Sequence, residues 1–134
     1  MKYLLPLIAV VIGFSCSPKL APDSGWDRGR WVLVEMKGVP VQQSGGRRDA
    51  AIIFNVVQKT FGGNGGCNQV NGNYHVEKTD ISFTDVNSTK VICGDIEFEK
   101  TFLSLLATVD RYELKGNDLL LKIKRETVLI LRAR

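Results

Sequence analysis

Few residues in this chain could do chemistry. They are Cys67 and Cys93, the lone His75, the acidic pair Glu97 and Glu99, and a glycine-dense stretch, Gly62-Gly63-Asn64-Gly65-Gly66-Cys67-Asn68. A basic cluster follows near the C-terminus: Lys122, Lys124, Arg125, Arg132 and Arg134. The glycines would suit a phosphate cradle, since Gly permits positive φ and close backbone approach. The spacing is not the dinucleotide fingerprint, however, and no Gly-Lys-Ser/Thr follows. A bulged hairpin accounts for them without a ligand. Glu97 and Glu99 could serve as paired carboxylates for glycoside hydrolysis. On a helix they point about 200° apart, and the favourable dipole at a helix start explains them instead. His75 sits between Tyr74 and Val76. If those two face inward, strand alternation turns His75 to solvent, away from any dyad with Cys67. Lys122 and Lys124 alternate with Leu121 and Ile123, which reads as a solvated sheet face, although lipid headgroups could also meet such a cluster.

Cys67 and Cys93 are the stronger signal. Behind a secretory leader, two thiols tend to pair. A disulfide between them would stabilise the fold by roughly 3–4 kcal/mol in the chain-entropy model. Two buried thiols, or a catalytic or metal role, remain as alternatives. The spacing is not Cys-x-x-Cys, which argues against thioredoxin-like redox work.

The elements that must position these residues are mostly strands. The chain has 134 residues, one domain's worth, with 44% apolar and 24% charged residues. That excludes a collagen, a long disordered protein and a polytopic membrane protein. A net charge of +4 is too small and scattered to announce nucleic-acid binding. Strand-forming segments run over 31–36, 50–57, 70–77, 80–83, 111–114, 119–124 and 127–132. Residues 88–93 read as a short strand or extended loop. The period changes after Gly94, where Ile96, Phe98, Phe102, Leu103, Leu105, Leu106 and Val109 approach 3.6 spacing and predict one helix over about 95–108. The expected fold class is α+β and β-rich: a small antiparallel barrel-like or rolled sheet with one packed α-helix.

The N-terminus reads as an address. Lys2 precedes an apolar run from Leu4 to Ile12 that is too short to span a bilayer needing ~20 residues. Ser15-Cys16 resembles the lipobox of bacterial lipoproteins, in which the cysteine is lipidated and becomes the new N-terminus. Residues 1–15 are then a signal peptide, and 16–25 a lipidated Cys16 with a flexible tether. The folded domain follows at 26–134. Ordinary secretion, with Cys16 lost or left free, is the alternative.

The assembled residues resemble the META domain family, also called HslJ-like. The resemblance is carried by Gly63-x-x-Gly66-Cys67-Asn68-x-x-x-Gly72-x-Tyr74 and by Ser88-Thr89-Lys90-Val91-Ile92-Cys93. Trp31-x-Leu33, Gly38-x-Pro40, Glu99-x-x-Phe102-Leu103-x-x-Leu106, Tyr112 and Leu119-x-Leu121 agree with it. It implies a small bacterial envelope protein, often a lipoprotein, with links to heat shock or stress. No catalytic residues come with it. The motif reads as architecture: Gly66 and Gly72 shape the turn, Cys67 staples to Cys93, and Asn68 can bond a nearby backbone group. Tyr74 packs inward with its hydroxyl satisfied at the rim.

The functional expectation is a non-enzymatic lipoprotein, anchored in the cell envelope and facing the periplasm from the outer membrane. It would have no cofactor, no metal and no nucleic-acid partner. It would bind an envelope protein. The alternative is a small-ligand-binding β-barrel module, rimmed by the Gly62–Asn68 loop with Arg47 and Arg48. A thiol-dependent enzyme using Cys67 or His75 is a minor third.

Overall fold

The computed structural model describes residues 25–134, so the leader, Cys16 and all of the tether except Gly25 lie outside the described residues. Nine strands and one helix make up the rest. They are β1 Trp31–Met36, β2 Val39–Pro40, β3 Ala51–Asn55, β4 Thr60–Asn64, β5 Gln69–Glu77, β6 Asp80–Ser88, α1 Ile96–Thr108, β7 Arg111–Lys115, β8 Asp118–Ile123 and β9 Glu126–Ala133. The strands lie in the order β2-β1-β3-β4-β5-β6-β7-β8-β9, and β1 also pairs with β9, which closes the ring. The architecture is therefore the expected one, a β-rich α+β barrel with a single helix. Two meanders build it, β3 to β6 and β7 to β9 with β1. They meet at two narrow seams, Trp31–Ile52 with Val32–Ala51 on one side and Asp80–Arg111 on the other. Helix α1 lies in the connection between β6 and β7 and buries Phe102 and Leu106.

Period-two patterning explains the inward faces. In β3, Ile52 and Phe54 are buried while Ile53 between them is exposed. In β5, Val70 and Tyr74 point inward and His75 faces solvent, as alternation requires. An aromatic cluster fills one part of the core. The Trp26 ring lies 4.9 Å from Phe54, 4.9 Å edge-on from Tyr112 and 5.9 Å from Tyr74. Phe54 reaches Phe83, and Phe83 meets Phe61 edge-on. The Trp26 indole N–H is buried and has no hydrogen-bond acceptor among the described residues. The surrounding ring faces offer weak N–H···π compensation. The Trp26 carbonyl, by contrast, accepts from the Trp31 indole at 2.9 Å.

Three local expectations change. Gly62 and Gly63 do not belong to a loop; they sit in β4, with ladders on both sides from β3 and β5. Backbone pairing from two neighbours holds a strand that glycine's own propensity would not. Gly63 is packed so closely that a Cβ there would collide with the Ala51 carbonyl. The true turn is residues 65–68, so the hairpin reading survives there. Strand β6 runs to Ser88, leaving 89–93 as an extended arm outside the sheet. Finally, the last hairpin turns at Lys124-Arg125, one residue earlier than the sequence suggests. Lys124 takes a φ of 57° and donates its N–H to Asp110 at 2.8 Å. The basic cluster is partly neutralised: Lys122 pairs with Glu113 at 2.7 Å, and Arg132 grips Asp118 through two bonds of 2.7 and 3.0 Å.

Candidate functional site

Asn68 follows the β4–β5 turn, and Glu99 lies on the first turn of α1. Both are almost fully buried, with 2% exposure each, the two buried polar side chains among the described residues. Burying a carboxylate is costly unless hydrogen bonds replace its water. Here they do. Glu99 Oε2 accepts the Cys67 N–H at 3.0 Å and the Asn68 N–H at 2.7 Å, and Oε1 accepts the Asn68 amide at 2.7 Å. Asn68 then passes the network on. Its Oδ1 accepts the Val91 N–H at 2.7 Å and the Thr89 hydroxyl at 2.9 Å. The Thr89 and Gln69 backbones are linked as well, at 3.0 Å. One helix residue, one turn residue and the 89–93 arm thus form a single polar clasp. A disulfide between Cys67 and Cys93 closes the same three pieces covalently, with Cα atoms 6.1 Å apart.

The geometry leaves no room for a side chain at Gly65, where a Cβ would stand 2.7 Å from Glu99 Oε2. Gly66 has a φ of 115° and faces the Phe98 ring. Burial pushes the Glu99 carboxyl up. The Asn68 and Cys67 bonds and the nearby Lys90 charge outweigh that effect, so its pKa falls below the ordinary value. Sequence reasoning names Glu99 but misses its buried role. Its position in the first turn made a helix-dipole role sufficient, and Glu97, two residues earlier, does stay exposed and pairs with Lys100. The missed signal was Gly65, whose lack of a side chain admits the Glu99 carboxylate and which cannot be matched to a partner 34 positions later without the fold.

The remaining predicted residues fall around this clasp or away from it. Gly63 and Gly72 sit in β4 and β5, so Gly72 does not shape the turn as expected; it lies where a Cβ would stand 2.7 Å from Phe61 and 2.8 Å from the Thr84 carbonyl. Tyr74 is in the aromatic core. His75 pairs across the sheet with Ser82, on the solvent side and away from the Cys67 turn. Among the described residues, no group of three or more His, Cys, Asp or Glu side chains is placed to hold a metal ion.

Two depressions flank the clasp. The first, of about 550 Å³, lies between the 88–93 arm and α1, with Ile96 and Leu103 on the helix side and Lys90 and Lys100 at its edge. On the arm, Ile92 is 98% exposed and Val91 is 62% exposed. The second, of about 450 Å³, lies between the β1–β2 hairpin, the 41–50 loop and the start of α1. Gly66 and Arg48 both line it, so the structure does bring the glycine turn and one of the two loop arginines together.

Comparison with known proteins establishes the family. The sequence model of the META domain matches residues 25–134. The chain belongs to the META domain family. The fold of this META domain is similar to an NMR structure of a protein from Burkholderia xenovorans, at 19% identity and a TM-score of 0.67, covering 92% of this chain and 99% of that one. It is also similar to a crystal structure of a DUF4847 family protein from Bacteroides vulgatus ATCC 8482, at 19% identity and a TM-score of 0.59, with 83% and 95% covered. At that identity the likeness concerns the fold alone. No curated protein matches in sequence.

Proposed function

We propose that this META domain is the head of a non-enzymatic, membrane-tethered envelope lipoprotein that acts by binding a partner protein. The observation that carries the reading is the 89–93 arm. It exposes Val91 and Ile92 beside an apolar groove, and exposed apolar groups on a rigid element mark interaction sites. The clasp and the disulfide hold the arm, so little ordering entropy is lost on binding. Lys90 at the edge, whose ammonium holds only the Ser88 hydroxyl among the described residues, favours a partner whose apolar segment carries an acidic residue. The leader, Ser15-Cys16 and the Pro-containing tether support an outer-membrane anchor facing the periplasm. The family's association with stress supports an envelope-integrity role.

The test replaces Ile92 with Asp in the full-length chain and asks whether the variant restores stress tolerance to a deletion strain. Lost complementation with an unchanged melting temperature supports the groove. Full complementation sinks it. In parallel, Cys16→Ala should move the protein out of the membrane fraction, and unchanged fractionation would refute the lipid anchor.

A second reading, a small-ligand module, rests on the 450 Å³ depression that Gly66 and Arg48 share. Its size is ordinary for small-molecule sites, which span about 300–1,000 Å³.

A further inference from the structure

We infer that the depression beneath the β1–β2 hairpin takes a small organic monoanion, with a carboxylate on Arg48 and a compact apolar body against Met36, Val41 and Phe98. The inference rests on the small-ligand reading and gives it a chemical class.

Charge bookkeeping at the site sets the sign. Three charged residues line the depression: Arg48, Asp49 and Asp95. Both carboxylates are balanced by positive charge in place: Asp49 lies beside the Arg30 guanidinium, and Asp95 sits at the positive end of the α1 dipole. Asp49 accepts the Ser44 N–H at 2.8 Å, the Ser44 hydroxyl at 2.7 Å and the Gly45 N–H at 2.8 Å. Asp95 caps α1 by accepting the Phe98 N–H at 3.2 Å. Gln43 is committed as well, donating to the Leu33 carbonyl and accepting from Arg134. Arg48, like Arg47 and Arg125, has no side-chain hydrogen bond or ion pair among the described residues, and of these three only Arg48 lines the depression. The lining charge left without a partner is therefore a guanidinium, whose planar fork matches a carboxylate.

The walls set the rest. Leu33, Met36, Pro40, Val41 and Phe98 make most of the lining apolar, which favours a ligand with a hydrocarbon body over a bare inorganic anion. The walls are also preformed. Arg30 pins the 41–50 loop through the Gly46, Arg47 and Asp49 carbonyls, and the clasp fixes the turn that carries Gly66. A preformed site spends less binding energy on ordering itself.

The test titrates 2-naphthoate, and the neutral 2-naphthalenemethanol, into the full-length chain and its Arg48→Gln variant, read by amide and methyl chemical shifts. Arg48 holds no other group, so the variant should melt as the wild type does. The expected result is saturable binding of naphthoate with shifts at Met36, Val41 and Phe98. Arg48→Gln should weaken it by roughly tenfold, the scale of one charge-assisted hydrogen bond, without changing binding of the alcohol. Equal naphthoate affinity in both proteins, or alcohol binding as tight as naphthoate, overturns the anion class while leaving a small-ligand site in place. Shifts centred on Ile92 and Leu103 overturn the location. No saturable shift with either compound removes both the inference and the small-ligand reading beneath it.

Discussion

The aromatic cluster around Trp26 and the polar clasp around Glu99 hold the same barrel by opposite means. In the cluster, rings from an N-terminal segment and from β3, β5, β6 and β7 meet with no shared hydrogen bond needed. Its stability is dispersed over large apolar areas, about 25 cal/mol per Å² removed from water. In the clasp, a few directional bonds converge on one carboxylate and one amide. Each bond is modest in net terms, but leaving a partner buried and unpaired costs far more than the bond contributes. The clasp depends on the distance and angle of each bond, and it carries the arm on which the proposed binding surface sits.

The largest loss is expected at Trp26. Trp26→Ala should cost about 3–5 kcal/mol, the usual range for removing a large buried aromatic. Chemical denaturation would measure it, and the 89–93 arm should keep its native amide shifts. A loss of less than about 1 kcal/mol would mean that the N-terminal segment is an accessory to the barrel and not part of its core.

Removing the disulfide is next. The Cys67→Ser, Cys93→Ser double variant should lose roughly 3–4 kcal/mol under oxidising conditions. Under reducing conditions, wild type and variant should converge, because the clasp is intact in both. Persistent divergence in reductant would show that the serines disturb the clasp itself.

Gly65→Ala sharpens the contrast further, because it removes none of the groups involved. The new methyl would stand 2.7–2.9 Å from the Glu99 carboxylate, so the acid must shift. Overpacking of this kind costs typically ~1–3 kcal/mol. The diagnostic readout is the Val91 amide, whose hydrogen-exchange protection should fall while amides of β3 and β5 keep theirs. Protection lost everywhere in parallel would make the clasp part of the global core and not a local device.

The two regions also differ in how far the sequence discloses them. Alternation in Ile52-Ile53-Phe54 and Tyr74-His75-Val76 announces which side chains enter the core, because period two is a local property. The 3.6 period from Ile96 to Val109 likewise announces the helix, and Asp95 at its start is a recognisable cap. The clasp is non-local. Asn68 and Glu99 are separated by 31 positions, and each has a satisfactory local explanation, a turn for one and a helix dipole for the other. Strand β4 was hidden for a related reason. Its Gly62-Gly63 is poor in strand propensity, and only pairing with β3 and β5 makes it a strand. The Cys67–Cys93 link was legible because cysteine chemistry restricts the choices. The cysteines thus mark the place of the clasp in the sequence without revealing its carboxylate.

The smallest expected effect is the most specific to the clasp. Glu99→Gln preserves shape and keeps an acceptor at one position, but it turns an NH₂ toward a donor at the other and strips the charge from the bonds that remain. The loss at neutral pH should be ~1–2 kcal/mol, since bonds to a charged group are stronger than neutral ones by about that much. Its pH dependence has a fixed sign. The Glu99 pKa is lowered in the folded protein, so the carboxylate's contribution is fully present above the ordinary value of 4.5 and is lost as pH falls through the folded value. Asp49, Glu113 and Asp118, whose values are also lowered, weaken the whole protein on acidification as well. Glu99 is therefore isolated by difference. The stability gap between wild type and Glu99→Gln should be constant near neutrality and shrink on acidification. A gap that does not change with pH would mean that the carboxylate's charge contributes nothing and that the clasp works by shape alone, as the aromatic cluster does.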